Sequence, residues 1–168
     1  MLLGEAPGYE ENARGQPFIG PSGQLLARLM RDVGLPTFSE MFIANVCCCR
    51  AQGPPEDAQI MACMPNLRAQ ITLADPEWIV TLGNTALKSL QTVKAKVSDI
   101  QGKPFAIPAG VGKGRWCFPL YHPAAALRDN SGRRQRDISS GLSDFARVLR
   151  GEMDREVIAV RIGRGGKP

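Results

Sequence analysis

The chain has 168 residues, 43% hydrophobic and 22% charged, which is the composition of one ordinary globular domain and excludes a disordered or fibrous protein. Lys and Arg number 21 against 16 Asp and Glu, and the formal charge of +5 suits a polyanionic partner. No run of apolar residues is long enough to read as a membrane-spanning helix, and residues 1–3 are too short a lead for an export signal.

In chain order, Met1-Leu2-Leu3 reads as the stub of a buried strand and Gly4-Glu5-Ala6-Pro7-Gly8 as the tight loop after it. Residues 15–23 read as a second loop. A helix follows from Ser22, with Leu25, Leu26, Leu29, Met30 and Val33 on one face, Ser22 as its cap and Gly34 with Pro36 as its stop. Residues 41–44 read as a short strand ending at Asn45. A loop of Cys, Gly and Pro covers 47–57. Helix is expected from about Glu56 to Ala74, with Pro65 kinking or restarting it. Residues 78–82 are a strand ending at Gly83, and 85–90 are helical. Residues 102–114 form a Gly/Pro-rich connection in which a hairpin is one option. Residues 116–121 are a strand ending at His122-Pro123. Leu142, Phe145, Ala146 and Leu149 mark a last helix. One domain is thus expected over residues 1–150, followed by a basic, flexible tail over 151–168.

Strands alternating with helices predict an α/β fold with a parallel sheet covered on both faces. Glu5, Asn45, Gly83 and His122 each follow a predicted strand. In a parallel sheet such positions share one edge, where open α/β sheets bind ligands. The five cysteines are an odd count with three in a row, Cys47-Cys48-Cys49, and make a poor disulfide framework. They read as thiols kept in a reducing, cytoplasmic compartment.

Each candidate residue has a plainer reading beside the functional one. Glu5, Glu10 and Glu11 suit a solvated surface, yet beside a crevice a carboxylate orients or activates water. Phe18 suits a core ring or a platform on which a base stacks. Asn45 suits a backbone cap. Its amide also offers a donor and an acceptor together, which match the O4 and N3–H edge of a uracil. His122, the single histidine, is structural or donates to a developing oxyanion. Cys49 and Cys63 alone are two thiols, too few for a four-ligand cluster. Arg128, Arg133, Arg134 and Arg136 against Asp129 make a net +3 patch, either a solvated face or a track for a phosphate backbone.

Gly4-Glu5-Ala6-Pro7-Gly8 with Glu11, Gly15-Gln16-Pro17-Phe18-Ile19-Gly20 with Gly23-Gln24-Leu25-Leu26, Asn45 with Cys49-Arg50, Cys63, Leu82-Gly83, and His122-Pro123-Ala124-Ala125-Ala126-Leu127-Arg128 together resemble the family 4 uracil-DNA glycosylases. The resemblance runs over about residues 2–150. It implies a three-layer α/β/α sandwich around a four-stranded parallel sheet. It implies hydrolysis of the N-glycosidic bond of deoxyuridine in DNA, the opening step of base excision repair, with no nucleotide cofactor. Glu5, Glu11 and His122 would form the catalytic set, with Glu11 handling the water and His122 at uracil O2. Phe18 would stack on the flipped base, Asn45 would read its edge, and the Glu5–Ala6 backbone would line the pocket. The Leu127–Arg128 loop would enter the duplex gap, and Arg133 and Arg134 would add DNA contacts. The implied partner is uracil-containing DNA, single- or double-stranded, with replication or repair proteins beside it, and the implied state is a monomer in a prokaryotic or phage-infected cytoplasm.

The resemblance also implies a [4Fe–4S] cluster on four cysteines. Cys49 and Cys63 match two of its positions. The other two belong upstream of the first strand, where this sequence has nothing, so a shortened reading of a longer gene or a cluster-less variant is expected, without a stable cluster. Asn12 stands where many members carry Asp, which lowers the local negative charge and the expected rate. Three rival readings stay open: a weak uracil or abasic-site binder, a glycosylase for other deaminated bases, and a nonfunctional fragment.

Overall fold

The computed structural model describes residues 1–90 and 95–159. Its sheet holds β1 (Leu2–Gly4), β2 (Ile43–Asn45), β3 (Trp78–Leu82), β4 (Phe105–Ala106) and β5 (Trp116–Leu120) in the order β2-β1-β3-β5-β4. The first four strands in that order run parallel, as expected; β4 adds a fifth, antiparallel edge strand. It pairs Phe105 with Cys117 and Ala106 with Trp116, so the Gly/Pro-rich connection is a hairpin. The central strands β3 and β5 are almost continuously apolar because helices cover both of their faces.

The helices are α1 (Tyr9–Arg14), α2 (Pro21–Asp32), α3 (Asp57–Ala74), α4 (Gly83–Ser89), α5 (Val97–Ile100), α6 (Pro123–Leu127), α7 (Arg133–Leu149) and α8 (Arg155–Ile158). Strand side chains alternate between two cores. Leu3, Ile79 and Cys117 pack under α3, α4 and α5 with Leu67, Ile71, Leu87 and Ile100. Leu2, Val80, Leu82, Phe118 and Leu120 pack under α2, α6 and α7 with Leu26, Leu29, Leu142 and Phe145. Three layers result, as expected of the sandwich.

Several boundaries differ from the sequence reading for local reasons. Helix α2 starts at Pro21 with Gly20 as its cap, since proline suits a first helical position. Helix α3 continues through Pro65, whose ring leaves the Met61 carbonyl unbonded; Met61 is 62% exposed, so water serves that carbonyl. Helix α7 begins nine residues before the apolar stripe at Leu142, because its first turn is polar and exposed and Asp129 holds its start. At the other end, α8 docks on the domain. The Arg155 guanidinium lies 4.8 Å from the Trp116 ring centroid and 2.6 Å from Glu77 Oε1. Residues 160–168 of the expected tail lie outside the described residues.

Candidate active site at the carboxyl edge of the sheet

The parallel register sets Gly4 beside Asn45 and Leu82 beside Leu120. The four strand-end positions therefore emerge on one edge, and two cavities open there. One, of about 380 Å³, is lined by Pro7, Glu11, Pro17, Asn45 and Cys48 among others. The other, of about 510 Å³, is lined by Glu5, Thr85, Tyr121, His122, Arg128 and Arg134 among others. A third cavity, around Met1, Met30 and Trp78, is lined by none of the candidate residues.

Gly4 ends β1 beside Asn45, and neither Gly4 nor Phe18 lines either cavity. A Cβ built on it would fall 2.3 Å from Asn45 Oδ1 and 3.3 Å from Phe18 Cζ, so amide and ring edge converge on bare backbone. Phe18 reaches this point from a left-handed backbone (φ 55°), a conformation uncommon for a bulky residue. The surroundings hold it there. Gly23 of α2 backs onto its carbonyl so closely that any Cβ would overlap it, Phe38 packs on its ring at 5.4 Å, and Gln24 Nε2 donates to the Ile19 carbonyl. Strain of this kind persists where the fold over-determines a functional position.

Glu11 is turned inward rather than left as a solvated acid. The Gly20 amide donates to its Oε1 at 2.8 Å, and its Oε2 lies against Gly8, leaving no room there for a side chain. The carboxylate thus ties α1 to the cap of α2 and still lines the Asn45 cavity. Glu10 lines neither cavity.

His122 caps α6. Its Nδ1 accepts from the Ala124 amide at 3.1 Å, which fixes the neutral tautomer with its proton on Nε2. Burial holds its pKa below the ordinary imidazole value; the Glu5 carboxylate opposes that shift, and Arg128 adds to it. Gly83, at φ 85°, lets the ring approach β3, since a Cβ there would stand 3.2 Å from His122 Cβ. Glu5 faces the same cavity and accepts a hydrogen bond from Thr85 Oγ1. Ala6 is half-buried beside it in the same loop.

Two residues that the sequence reading missed shape this side. Thr85 was legible only as part of a helix start. Gln101 accepts from the Tyr121 amide through Oε1 and donates to the Asp137 carbonyl at 3.0 Å, tying the approach to His122 to α7. Leu127 is 52% exposed at the end of α6, next to exposed Arg128. Of the basic patch, Arg134 lies in the His122 cavity with its guanidinium 5.9 Å from the Tyr121 ring, whereas Arg133 and Arg136 stand on the exposed start of α7. Asp129 is a cap rather than a counter-charge. It accepts from the Arg134 amide and from the Ser131 hydroxyl and amide, and these bonds pull its pKa down to about 2.

The cysteines divide differently from the motif match. Cys117 is buried in β5 and its pKa is pushed up to about 12 by burial. Cys49 is exposed. The thiol that meets Cys63 is that of Cys47, buried and pushed up to about 11 by desolvation and by Cys63 itself. Cys48 accepts from Asn66 Nδ2 at 2.7 Å. A [4Fe–4S] cluster needs four thiolates. Among the described residues no three metal-ligating side chains come together, so these residues do not by themselves fit a cluster, and no step below uses one.

Residues 1–146 match the uracil DNA glycosylase superfamily. The chain is 36% identical over 133 residues to the type-4 uracil-DNA glycosylase of Saccharolobus solfataricus, covering 76% of this chain and 61% of that protein. It is 34% identical over 147 residues to the type-4 enzyme of Pyrobaculum aerophilum, covering 83% and 74%. The type-4 enzyme of Thermotoga maritima is 34% identical over 139 residues, with coverage of 81% and 70%. The chain therefore spans about three fifths to three quarters of the length of these three relatives. A parallel sheet between two helical layers accompanies these matches, and the chain belongs to the uracil DNA glycosylase superfamily.

Proposed function

We propose that the chain hydrolyses the N-glycosidic bond of deoxyuridine in DNA, releasing uracil and leaving an abasic site for base excision repair. The observation that carries this reading is the convergence of Asn45 Oδ1 and Phe18 Cζ on Gly4. An aromatic ring beside an amide suits a planar base, which stacks on the ring while the amide meets its edge. The Asn45 amide accepts from uracil N3–H and donates to O4, whereas the exocyclic amine of cytosine meets a donor with a donor.

The target base must first leave the stack, at a cost of a few kcal/mol. Leu127 is the exposed apolar side chain suited to fill the gap, with Arg128, Arg133 and Arg134 on phosphates. The N1–C1′ bond then stretches, its electron pair moves onto the base toward O2, and the sugar becomes oxocarbenium-like. Neutral His122 donates from Nε2 to O2, and removing a donor of this kind costs about 2.7–4 kcal/mol. Glu5, held by Thr85, and Glu11, held by Gly20, set negative charge near the positive sugar and orient the attacking water. The water oxygen bonds to C1′, and its proton leaves through a carboxylate to the released base. DNA is the partner, in a reducing cytoplasm consistent with free cysteines, and a monomer suffices for every step.

The test is release of free uracil from a single-stranded oligonucleotide in the presence of a chelator and without added nucleotide. Stoichiometric release is expected. Intact DNA after prolonged incubation with excess folded protein would refute the reading.

A further inference from the structure

Beyond the base-reading cleft, an aromatic ring stands on the surface with no core to fill. Tyr9, the first residue of α1, is 75% exposed. The Arg50 guanidinium lies over its ring, 5.7 Å from the centroid. One face of the ring is thus covered by a cation and the other is open to solvent. Among the described residues no carboxylate forms an ion pair with Arg50, so its charge stays available.

Both residues flank the cleft that holds Asn45. Pro7, two residues before Tyr9, and Cys48, two residues before Arg50, line it. The pair is thus next in sequence to residues of that cleft, and neither residue lines the His122 cavity, which holds Arg128 and Arg134. A strand whose flipped base occupies the Asn45 cleft continues on both sides of it, and Tyr9 with Arg50 offers a ring and a free cation close to that cleft.

We propose that Tyr9 and Arg50 form a second nucleotide-binding position, in which the open face of Tyr9 stacks on the base next to the flipped one and Arg50 pairs with a phosphate of the same strand. This rests on the glycosylase reading for the position of the flipped base. Stacking on an exposed ring tolerates any sequence, since every base has a π-face, and the guanidinium on the far face strengthens the platform. The position takes an unpaired neighbour, so it favours single-stranded over duplex substrate.

The experiment is fluorescence anisotropy with single-stranded oligonucleotides carrying 2′-fluorodeoxyuridine, whose electron-poor sugar resists cleavage. A matched set replaces one neighbouring nucleotide, on either side, with an abasic tetrahydrofuran residue. Tyr9→Ala is expected to weaken binding roughly 5- to 150-fold, Tyr9→Phe to retain it, and Arg50→Ala to make the slope of log affinity against log salt shallower by about 0.7. The Tyr9→Ala loss should disappear on one of the two abasic-neighbour oligonucleotides. Binding by Tyr9→Ala within twofold of the parent, or an equal loss on every oligonucleotide, overturns the proposal. Uracil release by the parent is measured in parallel: a parent that releases none overturns the glycosylase reading, and a parent that releases uracil while Tyr9→Ala binds normally overturns this one alone. The exposure of Tyr9 leaves the fold of its variants intact, which a thermal melt checks.

Discussion

Gly4→Ala tests the base-reading geometry without touching any residue that reads the base. The new Cβ would fall 2.3 Å from Asn45 Oδ1 and 3.3 Å from Phe18 Cζ. Normal non-bonded separation is about 3.5 Å, so the amide oxygen must retreat by about 1 Å while the ring barely moves. A displacement of about 1 Å in a positioning group costs on the order of 100-fold in rate, or about 2.7 kcal/mol of transition-state stabilisation. The fold should tolerate the change. Gly4 is outside the left-handed region, so alanine is unstrained there, and the colliding atom is the end of a side chain rather than backbone. The assay is single-turnover uracil release from a single-stranded oligonucleotide, with a thermal melt of the same preparation. Gly53→Ala is the control, since a Cβ there meets nothing within 4 Å. Activity of Gly4→Ala within threefold of the parent, with the fold intact, would refute the claim that Asn45 reads the base from over Gly4.

Asn45→Asp should lower uracil release and raise release of cytosine, because a carboxylate repels O4 and accepts from the cytosine amine; chromatography of the freed bases checks this, and unchanged uracil release would leave Asn45 as a structural cap. Activity should hold through neutral pH and fail only below the ordinary histidine range, since burial lowers the His122 pKa and protonating Nδ1 breaks its bond from Ala124. The Glu5 carboxylate holds that pKa up, so Glu5→Gln should move the acidic limb of the residual activity to lower pH; an unmoved limb belongs to another group. The sign for stability runs the same way: the folded state binds the His122 proton less readily than the unfolded chain, so this contribution is present above about pH 6.5 and is lost as pH falls toward the folded value. Anaerobic purification should yield a chain without a stable iron–sulfur chromophore, checked by iron and sulfide analysis, and a full cluster complement would show that Cys47 and Cys48 ligate it with Cys49 and Cys63.

What was legible in the sequence was periodic or terminal. Short continuous apolar runs located β3 and β5, and because parallel strands share a direction, the residues after them had to share an edge. That argument alone brought Glu5, Asn45, Gly83 and His122 together before any contact was known. What was hidden depends on pairs far apart in the chain, which leave no period. Thr85 meets Glu5 across 80 residues, and Gln101 joins Asp137 across 36. Nothing in a lone threonine or glutamine announces such a partner. The cysteine run hides its contacts for a related reason. Cys47 turns into the core against Cys63 while Cys48 and Cys49 are exposed, and a motif match cannot say which of three neighbours faces in. The glycines lie between these cases. Gly4 and Gly23 read as turn residues, yet neither has a positive φ, and both are needed for space. Gly23 makes room for the carbonyl of Phe18, and Gly4 makes room for its ring and for Asn45. The site is therefore specified as much by two absent side chains as by the two present ones, and substitutions at these glycines should damage recognition as surely as substitutions at Asn45 or Phe18.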